Sequence, residues 1–175
     1  VFRLGRQTRA LQVDAIVAAA VSLSEIRRGA LLVIPRTVGL RSYQDTGTSL
    51  DCILSKAIVV SLFAHDTPLH DGAIILEGNR IASAGCVLPL SEQVDIRRSF
   101  GTRHRAALGL AEESDAIVLV VSEETGAVSL AYDANLFYDL PPEEVTRRLV
   151  ELLRISPDDL GAESEAEASA VGSAS

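Results

Sequence analysis

Asp71-Gly72-Ala73-Ile74-Ile75-Leu76-Glu77-Gly78-Asn79-Arg80-Ile81-Ala82-Ser83-Ala84-Gly85-Cys86-Val87-Leu88 reads as a β-hairpin. Ala73–Leu76 and Ile81–Leu88 are apolar enough for strands, and Glu77-Gly78-Asn79-Arg80 supplies the turn between them. Upstream, Asp66-Thr67-Pro68 marks a turn, and Leu50–Ala64 is expected to be helical. Thr37–Ser49 is polar and reads as loop, while Ala30–Ile34 is a short continuous apolar run bounded by Pro35, the pattern of a buried strand. Ahead of it the spacing of Ile16, Ala19, Ala20, Leu23 and Ile26 predicts a helix over Thr8–Arg28, with Thr8 as N-cap and Gly29 as stop.

Downstream of the hairpin, Ser91–Phe100 is polar and interrupts the pattern. Gly101-Thr102 opens a helix reaching about Ser114, with Ala106, Ala107, Leu110 and Ala111 on one side. Ile117–Val121 is a second buried strand, Ser122–Gly126 a turn, and Val128, Leu130 and Tyr132 alternate along a further strand. Pro142 suits a first helical position, with Glu143 and Glu144 in the favourable first turn. Strands alternating with helices, hairpins included, make a single α/β domain: a mixed central β-sheet flanked by helices. Residues 8–156 form that domain; 1–7 are expected to be the remnant of an upstream linker and 157–175 an acidic, disordered tail.

Composition narrows the function. A chain of 175 residues that is 47% hydrophobic can bury a sizeable core, built from Val, Ile, Leu and Ala because aromatics make up only 4%. A net charge of −8 argues against general nucleic-acid binding yet permits a local basic cluster for a small anion. Cys52 and Cys86 have no metal-ligand spacing and read as reduced, partly buried thiols. No apolar run is long enough to span a membrane and no signal peptide is visible. The chain opens on Val1 and contains no Met, and is expected to be a piece of a longer protein.

Three clusters could carry chemistry. His70-Asp71-Gly72 leads into the hairpin: an ionised Asp71 needs a partner, a cation or an exposed cleft, and the same residues also read as a strand-leading turn. Gly101-Thr102-Arg103-His104-Arg105 puts cations at a helix start, where the dipole favours anions; a bound phosphate would resolve the conflict, and so would side chains splayed into solvent. Ser122-Glu123-Glu124-Thr125-Gly126 follows a buried strand, where α/β sheets often bind ligands, and equally suits an ordinary acidic turn. No glycine-rich phosphate loop, serine elbow or paired-histidine metal motif accompanies them.

Together these clusters resemble the diadenylate cyclase domain family, whose two signature motifs match Asp71-Gly72-Ala73 and Arg103-His104-Arg105. Gly29–Ile34, Pro68-Leu69-His70, Ala84–Leu90, Gly101-Thr102 and Ser122–Gly126 also resemble family sequence in order, over about Thr8 to Arg154. The resemblance implies the family's α/β fold and condensation of two ATP into cyclic di-AMP with release of pyrophosphate. It implies Mg²⁺ or Mn²⁺ on Asp71 with His70 as second ligand, and Thr102 and Arg103 on the triphosphate. Ser122 and Glu124 would reach the phosphate or metal region, Gly72, Ala73 and the Leu88 backbone would line the nucleoside pocket, and His104 and Arg105 would buttress the site.

Two ATP meeting head to tail implies a homodimer for catalysis. The subgroup resembled most is membrane-tethered, which implies a cytoplasmic catalytic domain anchored through segments absent from this sequence, and no nucleic-acid partner. Where that subgroup often stacks an aromatic on adenine, this chain has Val87. A non-catalytic nucleotide-binding signalling module would use the same pocket, and a ligand-free structural domain is the third reading.

Overall fold

The computed structural model describes residues 2–93 and 100–154, with side chains from residue 12 onward. In chain order the elements are α1 (Phe2–Glu25), β1 (Ala30–Ile34), α2 (Arg41–Gln44), β2 (Thr48–Ile53), α3 (Lys56–Leu62), β3 (Ala73–Glu77), β4 (Arg80–Cys86), α4 (Thr102–Glu113), β5 (Ile117–Val121), β6 (Val128–Tyr132), β7 (Asn135–Phe137) and α5 (Pro142–Leu152). The strands form one seven-stranded sheet in the order β2-β4-β3-β1-β5-β6-β7. β1 and β3 run parallel and every other neighbouring pair antiparallel, so the sheet is mixed, as the alternation of elements predicts.

β1 and β5 are buried at every position, which is why both read as unbroken apolar runs. Their side chains divide by period two. Ala30, Leu32, Ile34, Ile117, Leu119 and Val121 join the core beneath α1, α3 and α5, with Phe63 its largest fully buried side chain. Leu31, Val33, Val118 and Val120 face the other way and meet Ala107, Leu110 and Ala111 of α4. Each large aliphatic side chain so buried stabilises the fold by about 1.5–3 kcal/mol. The sheet is thus covered on both faces, and its strand ends are left to make a site.

Three local expectations are corrected. Helix α1 already runs from Phe2, ahead of Thr8, and it stops at Glu25 without using Gly29. Arg27 takes the left-handed conformation at φ 50° and the Arg28 N–H reaches back to the Leu23 carbonyl at 2.9 Å, a helix-closing pattern usually given to glycine. The single helix expected over Leu50–Ala64 is β2 followed by α3. Leu50 and Cys52 alternate towards the core, Asp51 sits at φ 49° in an irregular stretch of the β2–β4 pairing, and the Ser55 hydroxyl caps α3 by accepting from the Ile58 N–H at 3.2 Å. The short strand β7 was not anticipated. The middle of Ser91–Phe100 and the acidic tail lie outside the described residues.

Candidate functional site

Sheet register gathers two of the sequence clusters at one end of the sheet, and the Arg103 contacts with Gly29 and Glu123 bring the third there. Leu32 pairs with Ile74 and Val33 with Ile75, so extending the parallel register backwards sets Asp71 level with Gly29, one strand over. Ala30 pairs with Val121, which brings Ser122 to the same end from the antiparallel β5. Ala73 pairs with Cys86, which brings Val87 and Leu88 there from β4. The ends of β4, β3, β1 and β5 therefore present Leu88, Asp71, Gly29 and Ser122 along one edge, and α4 begins beside them.

A cleft of about 230 Å³ opens at that point, lined by Gly101, Thr102, Arg103, His104, Val121, Ser122, Glu123 and Glu124. Arg103 lies across it. Its Nη1 donates to Glu123 Oε2 at 3.0 Å, and its guanidinium packs onto Gly29, where a Cβ would stand only 2.5 Å from Nη1. The start of α4 has Gly101 as N-cap with no side-chain cap bond and no acidic residue in the first turn, so its leading N–H groups lack the usual internal acceptor. Ser122 is buried, and its Oγ accepts from the Thr125 N–H at 3.3 Å while the Gly126 N–H reaches the Ser122 carbonyl at 2.9 Å. The end of α1 steadies this turn: Ser24 Oγ donates to the Gly126 carbonyl at 2.6 Å, and Gly126 at φ 77° leaves no room for a Cβ, which would meet the Ser24 carbonyl oxygen at 2.5 Å.

His104, next to Arg103 in the first turn of α4, is buried, its ring stacked on Phe100 with centroids 5.1 Å apart and tilted against Tyr138 at 6.1 Å. Among the described residues its Nε2 has no hydrogen-bond partner. Burial pushes its pKa down from 6.5, and the positive charge of Arg103 adds to the shift, so the ring is neutral near pH 7.

Asp71 is exposed, and Gly72 beside it has φ 111°, a conformation that favours glycine. A Cβ on Gly72 would meet the Cys86 carbonyl oxygen and the Gly85 carbonyl carbon at 2.8 Å, so the close neighbour of this glycine is the β4 backbone, which fixes Asp71 against the sheet. His70 Nδ1 lies 2.6 Å from the Thr67 carbonyl. A carbonyl can only accept, so Nδ1 is the donor and Nε2 is the nitrogen left for any ligand. That arrangement is common for a metal-binding histidine; the hard oxygens of Asp71 would suit Mg²⁺ or Mn²⁺, and the imidazole Mn²⁺. Among the described residues no three His, Cys, Asp or Glu side chains cluster as a metal site, so Asp71 and His70 would need phosphate, water or further groups to complete a coordination shell.

Of the residues expected to act together, Thr102, Arg103, His104, Ser122 and Glu124 share the cleft. Asp71, Gly72, Ala73, Leu88 and His70 stand at the same end of the sheet outside that lining. Arg105 lines it no more than they do; its carbonyl instead accepts from the Ser91 N–H at 3.0 Å, anchoring the irregular segment that continues from Leu88 onto α4. Sequence reasoning passed over Glu123 as a partner of Arg103, Gly29 as its floor, and Ser24. Glu123 stood in the quoted turn; the contacts of Gly29 and Ser24 are long-range and have no local signal. A second cleft of about 390 Å³ between α1 and the start of α5 is lined by Val17, Ala20, Val21, Val128 and Val145 with Glu25 and Asp139, and no cation among its lining residues could neutralise a phosphate.

The fold and the cleft define an α/β domain whose basic helix start, serine turn and strand-end carboxylate meet at one edge of a mixed sheet. Residues 17–136 match the family described as DisA bacterial checkpoint controller nucleotide-binding, and the chain belongs to that family, the diadenylate cyclase domain. It is 42% identical over 141 residues to a diadenylate cyclase of Listeria monocytogenes, covering 81% of this chain and 52% of that protein. It is 43% identical over 137 residues to the cyclic di-AMP synthase CdaA of Bacillus subtilis, covering 78% and 50%. The chain spans about half the length of these curated relatives. The crystal structure of a double cysteine mutant of DacA from Staphylococcus aureus superposes with a TM-score of 0.79 at 40% identity, covering 81% of this chain and 94% of that one. A hypothetical membrane spanning protein from Bacillus cereus gives 0.70 at 42% identity, covering 73% and 63%. No described helix of the present chain is long and apolar enough to cross a membrane.

Proposed function

We propose that this domain is a diadenylate cyclase, an enzyme that condenses two ATP into cyclic di-AMP and releases two pyrophosphates. The observation that carries the reading is the convergence at one end of the sheet of Asp71 and Ser122, by register, and of the uncapped, cationic start of α4, through the Arg103 contacts with Gly29 and Glu123. The names of the Listeria and Bacillus relatives support it.

In this reading the free N–H groups of α4, the Thr102 hydroxyl and the Arg103 guanidinium bind the triphosphate. Neutral His104 buttresses the start of α4 against Phe100 without adding a second charge, and Arg105 anchors the segment that follows Leu88 through its carbonyl. Ser122 and Glu124 border the phosphates, while Gly72, Ala73 and the Leu88 backbone border the nucleoside. Asp71 with His70 holds Mg²⁺ or Mn²⁺, which when bound neutralises phosphate charge and lowers the pKa of a coordinated hydroxyl. The 3′-oxygen of one ATP attacks the α-phosphorus of the second, its proton leaves to a nearby base or water, and pyrophosphate departs; the reciprocal step closes the ring. One such cleft holds one ATP, so two domains face each other as a homodimer and contribute catalysis largely through proximity. The domain works in the cytoplasm, anchored through an upstream region of the whole protein, and takes no nucleic acid.

Incubation of the protein with ATP and Mn²⁺, followed by assay of pyrophosphate and cyclic di-AMP, tests the reading. Both products are expected, two pyrophosphates for each cyclic dinucleotide. Binding of ATP without either product would identify a signalling module instead, and absence of binding would leave a structural domain.

A further inference from the structure

We propose that Gly29 is a positioning residue for the phosphate-binding arginine: its bare Cα forms the floor on which the Arg103 guanidinium lies. The proposal rests on the reading of Arg103 as a phosphate ligand.

The geometry is specific to this glycine. A Cβ built on Gly29 would stand 2.5 Å from Arg103 Nη1, 2.6 Å from Cζ and 3.0 Å from Nε. Three atoms of the planar group lie at nearly one distance, so the face of the guanidinium rests on Gly29. Glu123 holds the same group from the side, accepting from Nη1 at 3.0 Å. Backbone conformation does not require glycine here, because Gly29 is absent from the residues at positive φ and Arg27 has already closed α1. Nor does packing of the main chain require it. Gly47, Gly72, Gly109 and Gly126 would each drive a Cβ into a backbone atom, whereas all three near neighbours of Gly29 belong to the far end of one flexible side chain. A methyl group at position 29 therefore displaces the guanidinium and leaves the fold in place.

The consequence is functional. Gly29 is buried at the start of β1, level with Asp71 on one side and Ser122 on the other. A guanidinium lying flat there presents its N–H edge in a fixed direction without paying for rotamer ordering when a phosphate arrives. Lifted off by a methyl group, it must be reoriented for every ligand.

The test measures ATP affinity, kcat and KM, and thermal unfolding for the wild-type protein, Gly29→Ala, Arg103→Ala and the double variant. Gly29→Ala is expected to weaken ATP binding and raise KM by about tenfold or more, with Tm within about 3 °C of wild type. In the Arg103→Ala background the same substitution is expected to change affinity by less than about twofold, because the group it displaces has gone. Equal weakening in both backgrounds, or no weakening in the wild-type background, overturns the proposal. So does a Gly29→Ala protein that fails to fold and is not restored by adding Arg103→Ala. If Arg103→Ala leaves ATP affinity unchanged, the phosphate reading fails and the positioning role falls with it, an outcome distinct from weak binding by Arg103→Ala with normal binding by Gly29→Ala.

Discussion

Arg103 and Glu123 form an ion pair of 3.0 Å across the cleft, with the arginine side chain 25% and the glutamate 55% exposed. A nucleotide phosphate and the Glu123 carboxylate would compete for the same guanidinium. An ion pair this open to solvent is worth at most about 1 kcal/mol, or about fivefold in affinity. Glu123→Gln keeps an acceptor for Nη1 and removes the competing charge, so ATP affinity is expected to rise about two- to fivefold. Arg103→Ala is expected to lower it strongly. Calorimetric titration of both variants checks the opposed signs; weaker binding by Glu123→Gln would mean that the carboxylate assists the ligand.

Much of this arrangement was legible in the chain. β1 and β5 are buried on both faces, so Ala30–Ile34 and Ile117–Val121 announce themselves as continuous apolar runs, and the Ala73–Cys86 hairpin has a Gly-Asn turn between its apolar arms. Cations at the start of α4 broke a local rule and marked the cleft. β2 was misread because Leu50 and Cys52 alternate on an edge strand too short to distinguish period two from a helical run continuing into α3. The end of α1 was misassigned because Arg27 took a conformation that Gly29 would accept at lower cost. The Gly29–Arg103 and Ser24–Gly126 contacts join residues far apart in the chain, and only the sheet register brings them together.

Asp71 is the clearest separation of function from stability. It is exposed, and among the described residues its carboxylate has no hydrogen-bond or ion-pair partner, so the fold does not depend on its charge. Asp71→Asn preserves shape and removes a hard anionic ligand. Cyclic di-AMP output is expected to fall about 100-fold or more while Tm is retained. Product formation close to wild type in the Mn²⁺ assay would end the case for a metal at this position.

Gly109 should behave in the opposite way. It sits inside α4, where Gly→Ala ordinarily gains about 1 kcal/mol from helix propensity. Here a Cβ would stand 2.0 Å from the Pro89 carbonyl oxygen and 2.9 Å from the Ser91 nitrogen, both main-chain atoms of the segment crossing the helix. Forcing that crossing apart costs about 1–3 kcal/mol, and the loss of packed contact and the Ser91–Arg105 bond takes it to the upper part of that range. Gly109→Ala is therefore expected to lower Tm by several degrees. A thermal-unfolding curve unchanged or shifted upward would mean that the segment yields freely.

His104 makes stability depend on pH below 6.5. Burial, reinforced by Arg103, holds its pKa below 6.5 in the folded protein, while the unfolded chain titrates near that value. Below pH 6.5 the unfolded state binds a proton that the native state refuses, so the unfolded state gains as pH falls. The contribution of His104 is complete above pH 6.5 and is lost between there and the folded pKa, at a rate of at most about 1.4 kcal/mol for each pH unit. His104→Phe retains a ring against Phe100 and cannot take the proton, so its stability should decline less than that of the wild type between pH 7.5 and 5.5. Denaturant unfolding of both proteins across that range isolates the histidine, because the carboxylates titrate alike in each. Parallel pH profiles, or an NMR titration putting the His104 ring at or above 6.5, would show that water reaches Nε2 and relieves the burial on which the shift depends.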